Sequence, residues 1–369
     1  MKLSVLMAIG NLSKGGAEHQ CRLLMNNLDP ARYRIGAMYL YEGEDFSIEP
    51  HVELIPIKRR GKWSLRELWC NIDDAIAAWK PDVIHAWLPE VITIPSVISS
   101  GWRDIPSLTS HRVSLRYSGD WRKLTRDYCG LLAHCFSRKI VANYRVHAEP
   151  LIFRKLAAKR HLQTIPNGLE IERLRSLPPQ SLETTAAVKL MYAGRISPDK
   201  NLCFLVDLIA HMVEAGIDVH LTLFGDCEHA HAAIIRDRVA KHGVADRIVF
   251  AGQKSNWQAF GVDADALVFP SRGEGCSNVV LEALAVSLPV VAASNNMTRE
   301  FLKHRESAMI VDELNVSNWT DEILAVCEDE ALQSRLKTGG MDVALGFSVP
   351  SMVCQYEKLY GEILNPSDG

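Results

Sequence analysis

The chain has 369 residues, more than one hydrophobic core organises, so two domains are expected and a single small module is excluded. Hydrophobic residues at 47% and charged residues at 23%, with 23 Gly and 16 Pro, exclude wholesale disorder, collagen-like repeats and low complexity. The net charge of −3 conceals an asymmetry, because residues 1–180 carry 26 Lys+Arg against 18 Asp+Glu whereas residues 181–369 carry 15 against 26.

Residues 3–9 read as a buried strand rather than a secretory leader, since a glycine loop and a helical pattern follow at once with no small-x-small cleavage site. Next come a helix at 17–28, a strand at 34–41, a helix at 65–79 and a strand at 83–87. Short strands follow at 107–110, 139–142 and 164–165. Pro166-Asn167-Gly168 is a turn signal and marks the end of a first domain, 1–168. The rhythm restarts with a strand at 188–193, a helix at 201–214, a strand at 218–224, a helix at 232–242 and a strand at 248–250. It continues with a strand at 266–269, a helix at 278–286 and a strand at 289–292, giving a second domain, 169–348. The amphipathic segment 352–364 follows Pro350, and residues 349–369 are expected to form a terminal helix. Strand alternating with helix predicts α/β architecture with doubly wound parallel sheets, whose ligands bind at the carboxyl ends of strands. Two such sheets facing one another would form a cleft.

The longest apolar runs, 91–98 and 288–293, fall far short of the roughly 20 residues a membrane-spanning helix needs, and each contains a proline. Nine cysteines without CxxC spacing favour a reducing, cytoplasmic setting. Residues 102–160 hold 13 Lys+Arg against 4 Asp+Glu, a surplus that suits an anionic lipid surface or a phosphorylated acceptor. No nucleic-acid-binding module surrounds that stretch, and no nucleic-acid partner is expected.

Three loops at strand ends carry the candidate chemistry. Gly10 to Glu18, with Gly15 and Gly16 before a helix, lets backbone approach a phosphate closely, but it matches neither the P-loop nor the dinucleotide fingerprint. Gly194-Arg195-Ile196-Ser197-Pro198-Asp199-Lys200 places a planar donor fork and a mobile point charge five residues apart, a pair suited to two adjoining phosphates. The loop from Phe269 to Ala283 sets Glu274 between glycines, Ser277 as a helix N-cap with free amides at residues 278–280, and Glu282 on an otherwise apolar helix. A carboxylate there needs hydrogen-bond partners, and ribose hydroxyls qualify. Asp263-Ala264-Asp265 precedes a strand, the wrong edge for catalysis, and reads as a surface feature. His229 and His231 lack a third ligand for zinc. His85 and His111 end strands on the ligand-binding side. No GxSxG supports acyl chemistry.

Taken together, Gly15-Gly16-Ala17-Glu18, Thr164-Ile165-Pro166-Asn167-Gly168, Gly194-Arg195 with Lys200, and the Glu274 to Glu282 spacing resemble the GGAE, IPNG, GR-x4-K and E-x7-E motifs of the retaining glycosyltransferases of family 4, also called group 1. The resemblance implies the GT-B fold: two facing Rossmann-like sheets, the first domain (1–168) binding the acceptor and the second (169–348) the nucleotide-sugar, a cleft between them, and a last helix crossing back to the first domain. It implies a nucleotide-diphospho-sugar donor, with UDP preferred, and no metal cofactor. Arg195 and Lys200 would neutralise the leaving diphosphate, helped by amides near Gly16 and at the helix starting at Asn278. Glu282 would hold the ribose. Glu274 would contact sugar hydroxyls, and His111 would lie near the sugar. Gly194, Cys276, Ser277 and Val279 complete the implied donor contacts. The sequence departs from the family at Cys276-Ser277, where Phe-Pro is frequent, and in His85-Ala86-Trp87, which lacks a second histidine; no catalytic weight rests on His85.

The expected reaction is hexosyl transfer with retention to a hydroxyl of a lipid-linked or surface-polysaccharide glycan acceptor. It would occur in the cytoplasm, with peripheral contact to the anionic inner face of the plasma membrane through the basic first domain. A sugar-nucleotide 2-epimerase and a noncatalytic sugar-nucleotide binding subunit remain as alternatives.

Overall fold

The structure, a computed structural model, describes residues 2–12, 15–42, 47–58, 64–88, 90–112, 130–144, 151–159, 162–226, 229–271 and 276–364. The chain forms two compact units, Met1–Gly168 with Val349–Gly369, and Leu169–Ser348.

The first unit runs β1 (Leu3–Ala8), β2 (Asn11–Leu12), α1 (Gly16–Asn27), β3 (Tyr33–Tyr39), β4 (Tyr41–Glu42), β5 (Val52–Pro56), α2 (Leu65–Trp79) and β6 (Val83–Trp87). It continues through α3 (Thr93–Trp102), β7 (Ser107–His111), β8 (Lys139–Ala142), α4 (Leu151–Lys159) and β9 (Gln163–Thr164). The second unit holds α5 (Ile171–Arg175), β10 (Val188–Ala193), α6 (Leu202–Glu214), β11 (Val219–Phe224), α7 (His229–His242), β12 (Ile248–Gly252) and β13 (Ala266–Phe269). Then come α8 (Asn278–Ala285), β14 (Val290–Ala293), α9 (Asn296–Phe301), β15 (Met309–Val311), α10 (Val316–Glu328) and α11 (Glu330–Leu345). The last helix, α12 (Val349–Leu364), belongs to the first unit.

Both main sheets are parallel. Strand order is β5-β3-β1-β6-β7-β8-β9 in the first unit and β12-β11-β10-β13-β14-β15 in the second. A sheet covered by helices on both faces reads as continuous apolar sequence rather than alternating polarity, and β1 shows why. Val5 and Met7 point into the layer shared with Leu24 of α1 and Met352 and Leu359 of α12, whereas Leu6 and Ala8 point into the layer shared with Leu68, Ile72 and Ile76 of α2. The helix α12 buries Val349, Met352, Val353, Tyr356, Leu359, Tyr360 and Ile363, three- and four-residue steps that form one stripe.

The structure revises several boundaries. The strand expected over 34–41 ends at Tyr39; Tyr41 and Glu42 leave the main sheet and pair with Asn11 and Leu12, so part of the first glycine loop is itself a strand. The helix expected from residue 201 starts at Leu202, because Asn201 takes a left-handed conformation (φ 55°, ψ 36°). Residues 93–102 form α3 despite Pro95, which falls within the first turn where its missing N–H costs no intrahelical bond. Among the described residues no helix is long and apolar enough to cross a membrane.

Candidate functional site

At the carboxyl edge of the second unit, β10 and β11 end in glycines that lock two loops together. Gly194 N–H donates to the Phe224 carbonyl at 2.9 Å and Ile196 N–H to the Asp226 carbonyl at 2.8 Å. Gly225 adopts φ +152°, and a Cβ there would collide with the Gly194 carbonyl oxygen, so only glycine lets the two backbones approach this closely. Gly194 itself sits at φ +133°. Beyond it the Tyr192 hydroxyl donates to the Arg195 carbonyl at 3.1 Å, holding the backbone while the Arg195 side chain lies exposed.

Pro198–Lys200 forms a single 3-10 turn. Within it Asp199 accepts from the Ser197 hydroxyl at 2.7 Å and lies 3.5 Å from Lys200 Nζ. Burial alone would raise the Asp199 carboxyl; the Ser197 bond and the Lys200 charge outweigh it, and the group stays lowered, hence ionised. Asn201, next in sequence, donates to the Pro270 carbonyl at 3.0 Å and ties this turn to the end of β13. The loop that follows β13 leads into α8, whose N-cap position is occupied by Ser277 in extended conformation. The Ser277 side chain makes no cap hydrogen bond, contrary to the expected cap chemistry, although its position is the expected one. Cys276, Asn278 and Val279 are partly buried and Ser277 is buried.

One turn into α8, Glu282 is flanked by buried Leu281, Ala283 and Leu284. Burial pushes its carboxyl up to about 7; hydrogen bonds from Gln258 and Trp257 and the charge of Arg173 pull the other way. Gln258 Nε2 donates to Glu282 Oε2 at 2.5 Å, while Gln258 Oε1 is buried without a partner. Arg173 is itself paired with Glu170 at 3.3 Å. The group around Glu282 is therefore a polar cluster set in an apolar layer. Gln258, Trp257 and Arg173 escaped the sequence reading. Their only signal was an amide beside a tryptophan in a segment without periodicity.

In the first unit, Glu18 of α1 folds its carboxylate back over Gly15, where a Cβ would strike it; the negative charge at this helix start is the chain's own. Gly16 is exposed. His111 ends β7 but is buried. Its Nδ1 lies 3.4 Å from His134 Nε2, its Nε2 lies 3.3 Å from the Tyr144 hydroxyl, and its ring stacks on Phe153 at 4.1 Å. Burial, with His134 adding to it, holds His111 well below the ordinary histidine value, and His134 is lowered to about 4, so both rings are neutral at pH 7. His85 is likewise fully buried, with Nδ1 2.8 Å from the Tyr360 hydroxyl and Nε2 2.8 Å from the Ser110 hydroxyl.

Asp263 and Asp265 bind structure rather than solvent. Asp263 accepts from Lys189 Nζ and Leu182 N–H at 2.7 Å and from the Ser181 hydroxyl at 2.8 Å, and Asp265 accepts from Lys189 N–H at 2.7 Å. Among the described residues no group of three His, Cys, Asp or Glu is placed to hold a metal ion. Glu274 lies outside the described residues, as does part of the basic stretch, including Arg122, Lys123 and Arg126. The structure thus gathers Gly194, Arg195, Lys200, Ser277, Asn278 and Glu282 at one edge of one sheet or on the helix beside it, and sets Gly15, Gly16 and His111 in the other unit.

Residues 187–329 match the family described as Glycosyl transferases group 1. The D-inositol 3-phosphate glycosyltransferase of Xylanimonas cellulosilytica is 26% identical over 227 residues, 55% of this chain and 52% of that protein. The phosphatidyl-myo-inositol mannosyltransferase of Mycobacterium leprae is 24% identical over 200 residues, 53% and 52% of the two chains. The chain spans about half the length of these curated relatives in the matched regions. Among solved structures, HepE of Anabaena in complex with UDP superposes with a TM-score of 0.81 at 19% identity, covering 98% of this chain and 100% of that one. This likeness gives the fold, which is GT-B.

Proposed function

Taking as premise that residues 187–329 belong to the group 1 glycosyltransferases, we propose that the chain transfers a hexosyl group, with retained anomeric configuration, from a nucleotide-diphospho-sugar to a hydroxyl of a lipid-linked or surface-polysaccharide acceptor. The observation that carries this reading is the second unit's strand edge. There a partly buried carboxylate with hydrogen-bonding neighbours, Glu282 on α8, stands beside the sheet edge that carries an exposed guanidinium, Arg195, and a partly buried ammonium, Lys200.

Each group has a physical task. Arg195 offers its donor fork and Lys200 its point charge to the departing diphosphate. The amides and dipole at the start of α8 add to that stabilisation, which acts on charge developing as the glycosidic bond breaks. Glu282 accepts from ribose hydroxyls, and Glu274 contacts sugar hydroxyls beside the anomeric carbon. With two cations on the leaving group, transfer proceeds without a metal. UDP is the preferred carrier; HepE, similar in fold, was solved with UDP and with UDP-glucose. The basic first unit holds the enzyme peripherally at an anionic cytoplasmic leaflet.

A thermal-shift panel of UDP, GDP and ADP sugars tests the reading, because a ligand bound only by folded protein raises its melting temperature. A shift with UDP-sugars is expected, and no shift with any of the three overturns the proposal. For the membrane, Ala at Arg122, Lys123 and Arg126 should weaken sedimentation with anionic vesicles; unchanged sedimentation removes that part.

A further inference from the structure

At the carboxyl edge of the first unit four buried polar atoms have no hydrogen-bond partner among the described residues: Glu90 Oε2, which lies against Gly10, and, where β6, β7 and β8 end side by side, Trp87 Nε1, Arg112 Nε and Asn143 Oδ1. The last three belong to one cluster. The Arg112 guanidinium lies over the Trp87 ring at 4.4 Å, and donates to Asn167 Oδ1 at 2.9 Å and to the Tyr356 hydroxyl. Asn143 Nδ2 donates to the same Asn167 oxygen at 3.2 Å. Arg112 is 7% exposed, Asn143 5% and Trp87 0%.

Among the described residues no carboxylate pairs with Arg112, so a full positive charge stands out of water among neutral groups. That arrangement is costly in a protein that merely needs packing, and each unmet donor adds about 1–3 kcal/mol. The unmet atoms are also chemically complementary to one kind of ligand. The Trp87 indole N–H and the Arg112 guanidinium with its unmet Nε–H call for an oxyanion, and the unmet Asn143 oxygen calls for a hydroxyl. We infer that the β6–β7–β8 edge of the first unit binds an oxyanion carried on a hydroxylated compound, with Arg112 and Trp87 on the anion and Asn143 on the hydroxyl. Resting on the transfer reaction proposed above, the occupant is the acceptor, which is then a phosphorylated or carboxylated polyol. An oxyanion makes a stronger, charge-assisted bond than a neutral hydroxyl, so Tyr356 is the partner that yields as the ligand enters.

The rival role is structural, with Arg112 fastening α12 through Tyr356. Thermal shifts of the full chain separate the two, using glycerol 3-phosphate and glycerate as probes and glycerol as the neutral control. The preferred oxyanion, at about 100 times its dissociation constant, is expected to raise the melting temperature by roughly 5–10 °C, and at one common concentration the probe with the larger shift tells phosphate from carboxylate. Arg112→Gln should lose the shift and Arg112→Lys keep part of it. Asn143→Asp, which supplies an internal carboxylate, should melt higher than the parent without ligand and no longer respond. Should Arg112→Gln fail to fold, the Lys and Asp variants carry the test. The shift should persist in Arg195→Ala/Lys200→Ala, which loses its response to UDP. The inference is overturned if neither oxyanion shifts the parent, if Asn143→Asp responds in full, or if the double variant loses the oxyanion response. Loss of the UDP response in the parent would instead sink the transferase reading.

Discussion

The two units share a parallel, doubly wound sheet but spend their charged groups differently at the strand ends. In the second unit, Arg195 is exposed, Lys200 is partly buried beside Asp199, and the one deeply placed carboxylate, Glu282, is met by Gln258 and Trp257. At the corresponding edge of the first unit His85, His111 and Arg112 are all buried among rings and hydroxyls, and the histidines are neutral. The same topology therefore carries an exposed cation at the strand ends of one unit and buried polar groups at those of the other. Strand ends supply the location, and the residues just beyond them decide the chemistry.

That contrast can be broken most severely at the exposed edge. Glu274→Ala and Lys200→Ala should each lower turnover by about 10²- to 10³-fold, the usual loss on removing one preorganised stabilising group; steady-state rates near those of the parent in both would refute the assignment. A smaller effect is expected at Gly225→Ala. The added methyl meets the Gly194 carbonyl from a strained backbone, at a cost of about 2–4 kcal/mol, read as a melting temperature lowered by roughly 5–10 °C.

Smaller still is Glu282→Gln. Raised to about 7, the carboxyl binds its proton more tightly in the folded chain than in the unfolded one. Its contribution to stability is thus fully present below the ordinary glutamate value and is lost as pH rises through 7, leaving a buried anion at pH 8. Gln removes that anion. The variant should melt higher than the parent at pH 8 by an amount worth at most about 3 kcal/mol, and the difference should vanish near pH 4. Its affinity for UDP should fall, because Gln at this position no longer offers an anion to the ribose. Equal melting curves at pH 8 would show that the carboxyl is solvated. The smallest effect is expected from EDTA, which should leave the rate almost unchanged; strong inhibition would point back to Asp263 and Asp265.

The alternation of strand and helix was legible because strands buried on both faces leave unbroken apolar runs, as at Ala266–Phe269. The glycine-flanked positions were legible too: Gly194 ends β10, and Ser277 stands at the start of α8. What escaped depends on contacts distant in sequence. The helices α10 and α11 were unread although each begins with a capping side chain, Asn315 accepting from Asn318 N–H at 3.2 Å and Asp329 from Leu332 N–H at 2.9 Å. No local pattern says that Gln258 meets Glu282 across 24 residues, or that Tyr356 and Tyr360 reach Arg112 and His85 across more than 240. Ser277 shows the converse: the right residue at the cap position, with no cap hydrogen bond from its side chain.

Because Val349–Leu364 completes the first unit's core, the ribosome releases the second unit's entire sequence before the first unit can close. Until Tyr356 and Tyr360 emerge, the nascent amino-terminal half carries His85 and Arg112 without their phenolic partners and one apolar face of its sheet uncovered. The order of synthesis is thus not the order of completion, and the middle of the chain is free to fold first.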